Sequence, residues 1–191
     1  MGQMLESTLA CLSEKLARQP PLSYRLQMKY PVVPIAEGYI ESFREALDAV
    51  TRERRYLAML EAPPLQEVRR FVRENIREGR PSFVALDAAR VIGWCDILSL
   101  NRPVYAHAGV LGIGVLNGYR EQGVGQALMH AALVAAKGAS LTRVELTVRE
   151  HNVRAKRLYE KMGFVVEGVK RRGVHLDGIY EDLICMAKLL E

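Results

Sequence analysis

The chain has 191 residues, 49% of them hydrophobic and 26% charged, with a net charge of +5 at neutral pH. That length suits one domain with a substantial core, and the composition is that of an ordinary globule rather than a disordered, fibrous or membrane-embedded chain. The positive balance is modest and spread out, with no basic run interleaved with aromatics, so a polyanionic small molecule is a better partner than nucleic acid.

No apolar run reaches membrane-spanning length, and no basic start with an apolar centre marks a signal peptide, so a cytoplasmic location without a membrane partner is expected. The three cysteines, Cys11, Cys95 and Cys185, are odd in number and lie in apolar contexts, which suits buried thiols in a reducing compartment. His107, His130, His151 and His175 have no ligand spacing, so no metal is expected.

In chain order, Leu5, Leu9, Leu12 and Leu16 predict a short amphipathic helix over 4–18, ended by Pro20-Pro21. Residues 1–22 therefore read as an N-terminal extension and 23–191 as a single domain. Alternation of Tyr24, Leu26 and Met28 predicts a first strand over Ser23 to Lys29. After Pro31 and Pro34, a helix over Glu37 to Thr51 carries Ile40, Phe43, Leu47 and Val50 on one face. Pro63-Pro64 opens a second helix, Leu65 to Glu78, apolar at Leu65, Val68, Val72 and Ile76 and stopped by Gly79. Phe83 to Leu86 and Val91 to Leu98 flank Asp87-Ala88-Ala89-Arg90 and predict a hairpin.

The most informative stretch follows. An apolar run from Val110 to Leu116 ends at Asn117-Gly118, and helical spacing begins after Gly123, with Gly138 as the expected C-cap. A strand running through a glycine-rich turn into a helix aims unpaired backbone N–H groups and the positive end of the helix dipole at one point, a place for phosphate. Gly123 and Gly125 remove side chains where such a guest would press on the backbone. Gln126 stands where a P-loop needs Lys-Ser/Thr, and the dinucleotide fingerprint is absent, so both of those phosphate loops are excluded.

Further on, Arg143 to Arg149 alternates as a strand, Asn152 caps a helix stopped at Gly163, and Phe164 to Val169 and Tyr180 to Lys188 are two more strands joined by a polar loop, Lys170 to Gly178. The element order is β-α-α-β-β-β-α-β-α-β-β, a mixed sheet covered by helices.

Arg120-x-x-Gly123-x-Gly125 after a strand resembles the pyrophosphate-binding signature of the GCN5-related N-acetyltransferase (GNAT) family. Asn152-x-x-Ala155-x-x-Leu158-Tyr159-x-x-x-Gly163-Phe164 resembles the second half of the same signature, in order and at the expected distance. The resemblance covers residues 24–189 and is nearest to small bacterial amino-acid or amine acetyltransferases and the ribosomal-protein-alanine branch. It implies an α/β (α+β) fold with a mixed, mostly antiparallel sheet of about seven strands flanked by about four helices, beyond the N-terminal extension helix.

The resemblance also implies an acyl-CoA-dependent N-acetyltransferase, with acetyl-CoA as co-substrate and direct transfer to a primary amine of a small molecule. An amino acid, an amino-acid analogue or a polyamine would be the acceptor. A protein N-terminus and a non-catalytic acyl-CoA sensor are the competing readings, and pairing into a homodimer stays open. Ile113, Gly114 and Val115 would face the pantetheine arm and the acetyl carbonyl. Arg120, Glu121, Gln122, Gly123, Val124, Gly125 and Gln126 would cradle the pyrophosphate, chiefly through N–H groups, and Asn152 would meet the pantetheine.

Tyr159 would stand beside the thioester sulfur as proton donor to the leaving thiolate. A base must also take a proton from the amine. The ribosomal branch places a glutamate five residues before the asparagine, where this chain has Thr147; Glu145, two residues earlier on the same face, is the first candidate, with Asp182 and His107 behind it. Glu53, Arg54, Arg55 and Tyr56 lie where the family forms its acceptor pocket, and Trp94 reads as core or groove wall.

Overall fold

The computed structural model describes residues 29–100 and 102–191. The helix expected over 4–18, the strand expected over 23–29 except its last residue, and Cys11 all lie outside them. Seven strands and four helices follow: β1 (Val32–Pro34), α1 (Ile40–Thr51), α2 (Leu65–Arg77), β2 (Ser82–Asp87), β3 (Arg90–Ser99), β4 (Ala108–Val115), α3 (Val124–Gly138), β5 (Arg143–Arg149), α4 (Val153–Lys161), β6 (Val165–Leu176) and β7 (Ile179–Leu189). The order of element types is the one the sequence predicts, although the first strand is a different one.

One sheet runs β1-β2-β3-β4-β5-β7-β6. Every neighbouring pair is antiparallel except β4 and β5. Alternate residues of β3 show how the two faces are covered. A Cβ added at Gly93 would meet Leu128 of α3, whereas Trp94 meets Phe43 of α1 edge to face at 5.7 Å. So α1 covers one face and α3 the other. Val84, Val91, Ile92, Ile97 and Leu128 are completely buried between them.

Four local expectations change. Between Pro31 and the helix, Val32–Pro34 forms β1, a strand the sequence reading does not place, which among the described residues is an edge paired only with β2, where a missing N–H is tolerated. In α2, Ile76 is 45% exposed and Asn75 is buried, because the face turned to the core is Val68-Val72-Asn75. Gly138 remains helical, and the left-handed residue that ends α3 is Ser140, with φ 62°.

The expected polar loop Lys170–Gly178 is mostly strand. β6 continues to Leu176, and Asp177-Gly178 alone makes the turn with both φ positive. β6 is an edge strand exposed along most of its length, so its backbone pairs with β7 without an apolar alternation to announce it. The ladder is irregular between Lys170 and Val174, and Arg172 sits at φ 52° there.

The feature that positions the site is where parallel pairing stops. β4 and β5 pair only from Ala108–Arg143 to Val110–Glu145. β4 then continues to Val115 and β5 to Arg149, with no further pairing between them.

Candidate active site

The parted strand ends open into a cavity of about 480 Å³. Gly112 to Val115 line it from β4, Thr147 and Val148 from β5. The backbone groups of Leu111–Val115 that would face β5 have no strand to meet, so a linear, amide-bearing ligand can take the vacant partner's role. Ile113, Gly114 and Val115 line this part of the cavity.

The start of α3 forms one end of the same cavity. Glu121 and Gly123 have φ of 62° and 80°, a turn of the chain that gathers successive N–H groups on one side. A non-glycine residue in this region costs on the order of 1 kcal/mol, which marks a shape held for a purpose. No side chain caps Gly123, so the first N–H donors of α3 stay available. Glu121, Gly123, Gly125 and Gln126 line the cavity. A Cβ at Gly125 would lie 3.1 Å from Leu158 Cδ2, so this glycine also lets α4 approach α3.

Two expected cofactor residues do not face the cavity. Val124 is buried as the anchor of α3. Gln122 folds back, donating to the Gly118 carbonyl at 2.8 Å and accepting from the Tyr30 hydroxyl at 3.4 Å. Only its backbone is left for a ligand.

Arg120 lines the cavity, but its guanidinium is engaged. Nη1 donates to Glu53 at 2.8 Å, Nη2 donates to the other Glu53 oxygen, and Nε donates to the Val115 carbonyl at 2.8 Å. The Tyr56 ring lies 5.0 Å away. A fork filled by a carboxylate has little left for a phosphate. Arg120 instead ties the segment after α1 to the glycine turn. Among the described residues, the cations on the cavity wall without an ion-pair partner are Arg154 and Lys161 of α4, both exposed. Their seven-residue spacing puts them on one helix face with Leu158, a signal readable in the sequence and passed over.

α4 starts differently. The Asn152 side-chain oxygen accepts from the Ala155 N–H at 3.2 Å, so the asparagine closes its own helix while lining the cavity. Two turns further on, Tyr159 is 7% exposed, reaches the cavity, and packs on Phe164 with ring centres 6.1 Å apart. Its hydroxyl has no protein partner among the described residues. Burial, and then the nearby Cys95 thiol, push its pKa up, so it stays protonated at neutral pH, as a donor must. Burial, followed by the charge of Asp96, holds the Cys95 thiol well above its ordinary range, which makes it a poor nucleophile.

The expected base is elsewhere. Glu145 does not line the cavity; it accepts from Arg143 at 3.3 Å, and Arg143 reaches Glu167 of β6 at 2.9 Å. Alternation on a strand places side chains on a face, but here the parallel ladder still holds at Glu145 and opens only beyond it. Asp182 accepts from the Arg172 N–H at 2.7 Å, binding the β6–β7 hairpin together. His107 is exposed at the entry to β4, away from the cavity lining. Trp94 is core, lying over Gly114.

The remaining wall comes from α1 and the segment after it: Val50, Tyr56 and Leu57. Arg149 at the end of β5, 5% exposed, donates to the carbonyls of Arg54 and Leu57 at 3.2 and 3.0 Å and so fixes this wall. Arg54 itself pairs with Asp177 at 2.6 Å, well outside the cavity lining. Among the described residues no group of three His, Cys, Asp or Glu is placed to hold a metal, and no helix is long and apolar enough to cross a membrane.

The model of the acetyltransferase (GNAT) family matches residues 41–164. Over 114 residues the chain is 32% identical to the L-amino acid N-acetyltransferase AaaT of Escherichia coli K12, spanning 59% of this chain and 70% of that one. An uncharacterized N-acetyltransferase of Mycobacterium tuberculosis is 40% identical over 68 residues, 35% of this chain and 44% of that protein.

Among solved structures, a phosphinothricin acetyltransferase from Sinorhizobium meliloti, in complex with acetyl-CoA, superposes with a TM-score of 0.80 at 19% identity, covering 85% of this chain and 89% of that one. A ribosomal-protein-alanine N-acetyltransferase from Brucella melitensis gives 0.78 at 18% identity, over 83% of this chain and 99% of that one. At these identities the structures speak to the fold.

Proposed function

The chain belongs to the GNAT acetyltransferase family, and from that premise we propose that it moves the acetyl group of acetyl-CoA directly onto the primary amine of a small molecule, an amino acid or close analogue. The observation that carries this reading is the parting of β4 and β5 in line with the open start of α3. Together they make one cavity with strand-edge hydrogen-bonding groups in the middle and converging N–H donors at one end. That is the shape of an amide-bearing arm ending in a diphosphate.

In this reading the backbone of Ile113, Gly114 and Val115 pairs with the pantetheine and donates to the acetyl carbonyl, where charge develops as the tetrahedral intermediate forms. The N–H groups of residues 122–126 hold the pyrophosphate, and Arg154 and Lys161 supply positive charge beside it. Asn152 closes α4 and meets the arm. Tyr159 donates a hydrogen bond to the thiolate as the C–S bond breaks, then a proton, so that CoA leaves as a thiol. Glu145 shares Arg143 with Glu167 of β6 and takes no part in proton transfer. Likeness to the amino-acid acetyltransferase of E. coli supports an amino-acid acceptor over a protein N-terminus.

The experiment is a screen of free amino acids, amino-acid analogues, polyamines and short peptides with acetyl-CoA, following thiol release. Turnover with an amino acid or analogue is expected. Tight acetyl-CoA binding with no thiol release from any amine would instead establish a sensor.

A further inference from the structure

Directly behind Gly112, which lines the cavity, stands an ionisable group that does not line it itself. Asp96, in the middle of β3, is 8% exposed. It has no hydrogen-bond or ion-pair partner among the described residues. A buried carboxylate without a partner is a costly arrangement, kept only where something requires it.

The sheet register shows what it faces. Ser82, Asp96 and Gly112 stand directly opposite one another across β2, β3 and β4, so they form one row on one face of the sheet. The next position in that row would belong to β5, but β4 and β5 have already parted, and the row ends in the cavity. Gly112, the row's last residue before that opening, stands next to Asp96 and has no side chain. A Cβ placed there would lie 3.2 Å from Asp96 Oδ1, so any other residue would crowd the carboxyl and close the window.

The face is also the right one. The adjacent row, Val84-Trp94-Gly114, lies under Phe43 of α1, and α1 supplies Val50 to the cavity, with Tyr56 and Leu57 following it. The glycine turn and α3 serve the opposite face. Cofactor and acceptor thus enter from different sides and meet at the split.

We propose that the Asp96 carboxylate is the general base, taking a proton from the acceptor's ammonium group through the opening left by Gly112. This rests on the transferase reading. The proton passes from nitrogen to Asp96, and the freed nitrogen lone pair attacks the thioester carbon. The C–N bond forms, the C–S bond breaks, and the electron pair leaves on sulfur. Of the two protons the ammonium loses, one reaches sulfur by way of Tyr159 and the other leaves through Asp96 to water.

The surroundings suit a base that works near neutrality. Burial alone raises the carboxyl from its ordinary 3.8 to about 7. Neither Ser82 of β2, Gly112 of β4, nor any charged group of α1 or α2 contributes a shift, and Cys95 on its own strand feels its charge. A base with a pKa near the working pH is both available and strong enough.

The test is Asp96→Asn, which keeps the shape. In the wild type, kcat/KM for thiol release should rise with pH through a midpoint at about 7. In the variant the rate should drop by about 100-fold or more and the rise vanish, while the acetyl-CoA dissociation constant stays within about twofold. In Asp96→Ala, added formate should restore part of the rate, which a purely structural role does not allow. A variant within about threefold of wild type, or one that keeps the same pH limb, overturns the assignment.

Infrared difference spectra, wild type minus Asp96→Asn, read the carboxyl without turnover. A protonated-carboxyl band should fade near pH 7, with a midpoint that moves when methylammonium is added. A band that ignores the amine overturns the assignment even if transfer is established. Absent thiol release from the wild type with every amine overturns the transferase reading instead, and with it a base that has no reaction to serve.

Discussion

The two walls of the cleft recognise their guests by different means. The wall built from β4 and α3 presents mainly backbone: strand groups with no neighbour, a turn with Glu121 and Gly123 in left-handed conformations, and a helix start no side chain caps. The wall built from α1, its following segment, β5 and α4 presents side chains, among them Tyr56, Leu57, Thr147 and Tyr159, with Asp96 behind Gly112. Backbone donors are the same in any sequence that folds this way, so the first wall is committed to one constant ligand. Side chains are free to differ, so the part of the second wall built from α1 and its following segment can be suited to one amine. Arg120 holds the walls in place relative to each other, through Glu53 and Val115, and Arg149 ties two parts of the second wall through the carbonyls of Arg54 and Leu57.

The largest effect should come from filling the backbone wall. Gly125→Val drives a branched side chain toward Leu158 and the pyrophosphate position, and acetyl-CoA binding should weaken by about a thousandfold or more in calorimetry, with the circular dichroism spectrum retained. Near-normal affinity would show that the turn does not approach phosphate and would break the division between the walls.

On the side-chain wall, Asp96 connects stability to pH. Its folded pKa of about 7 lies above the ordinary 3.8, so its contribution to stability is complete below pH 3.8 and is lost as pH rises to about 7. Asp96→Asn should therefore stabilise the protein by up to about 4 kcal/mol at pH 8 and by almost nothing at pH 3.5, read from urea midpoints. An equal gain at both pH values would remove burial of the charge as the cause.

Tyr159→Phe should lower kcat by about 100-fold while acetyl-CoA affinity changes less than about twofold. Parallel losses would place this hydroxyl in binding and blur the distinction between walls. The smallest effect belongs to the start of α4. Asn152→Ala should cost about 1 kcal/mol of stability in thermal unfolding, and Asn152→Asp much less, since an aspartate still caps. Equal losses would mean that the side-chain cap is not what the asparagine supplies there.

How much could be read in advance follows the same division. Gly123, Gly125, Asn152 and Tyr159 lie within two continuous stretches whose spacing carries their meaning, and the cavity contains all four. Arg120 was legible as a residue of the motif but not as the partner of Glu53, 67 positions away. Glu145 rests on the family's glutamate position and on strand alternation, and alternation does not say where a parallel ladder ends. β1 and the far half of β6 escaped notice because edge strands need no apolar alternation.

By itself the sequence determined the succession of strands and helices, the mixed sheet, the glycine turn and the capped start of α4, because each is decided by residues a few positions apart through dihedral preference, periodicity and local hydrogen bonds. Only the tertiary structure decided which carboxylate is left without a partner at the cleft, which arginines are spent on holding its walls, and where β4 leaves β5. Those depend on strand register and on contacts between residues as distant as Arg54 and Arg149, and no local pattern encodes them.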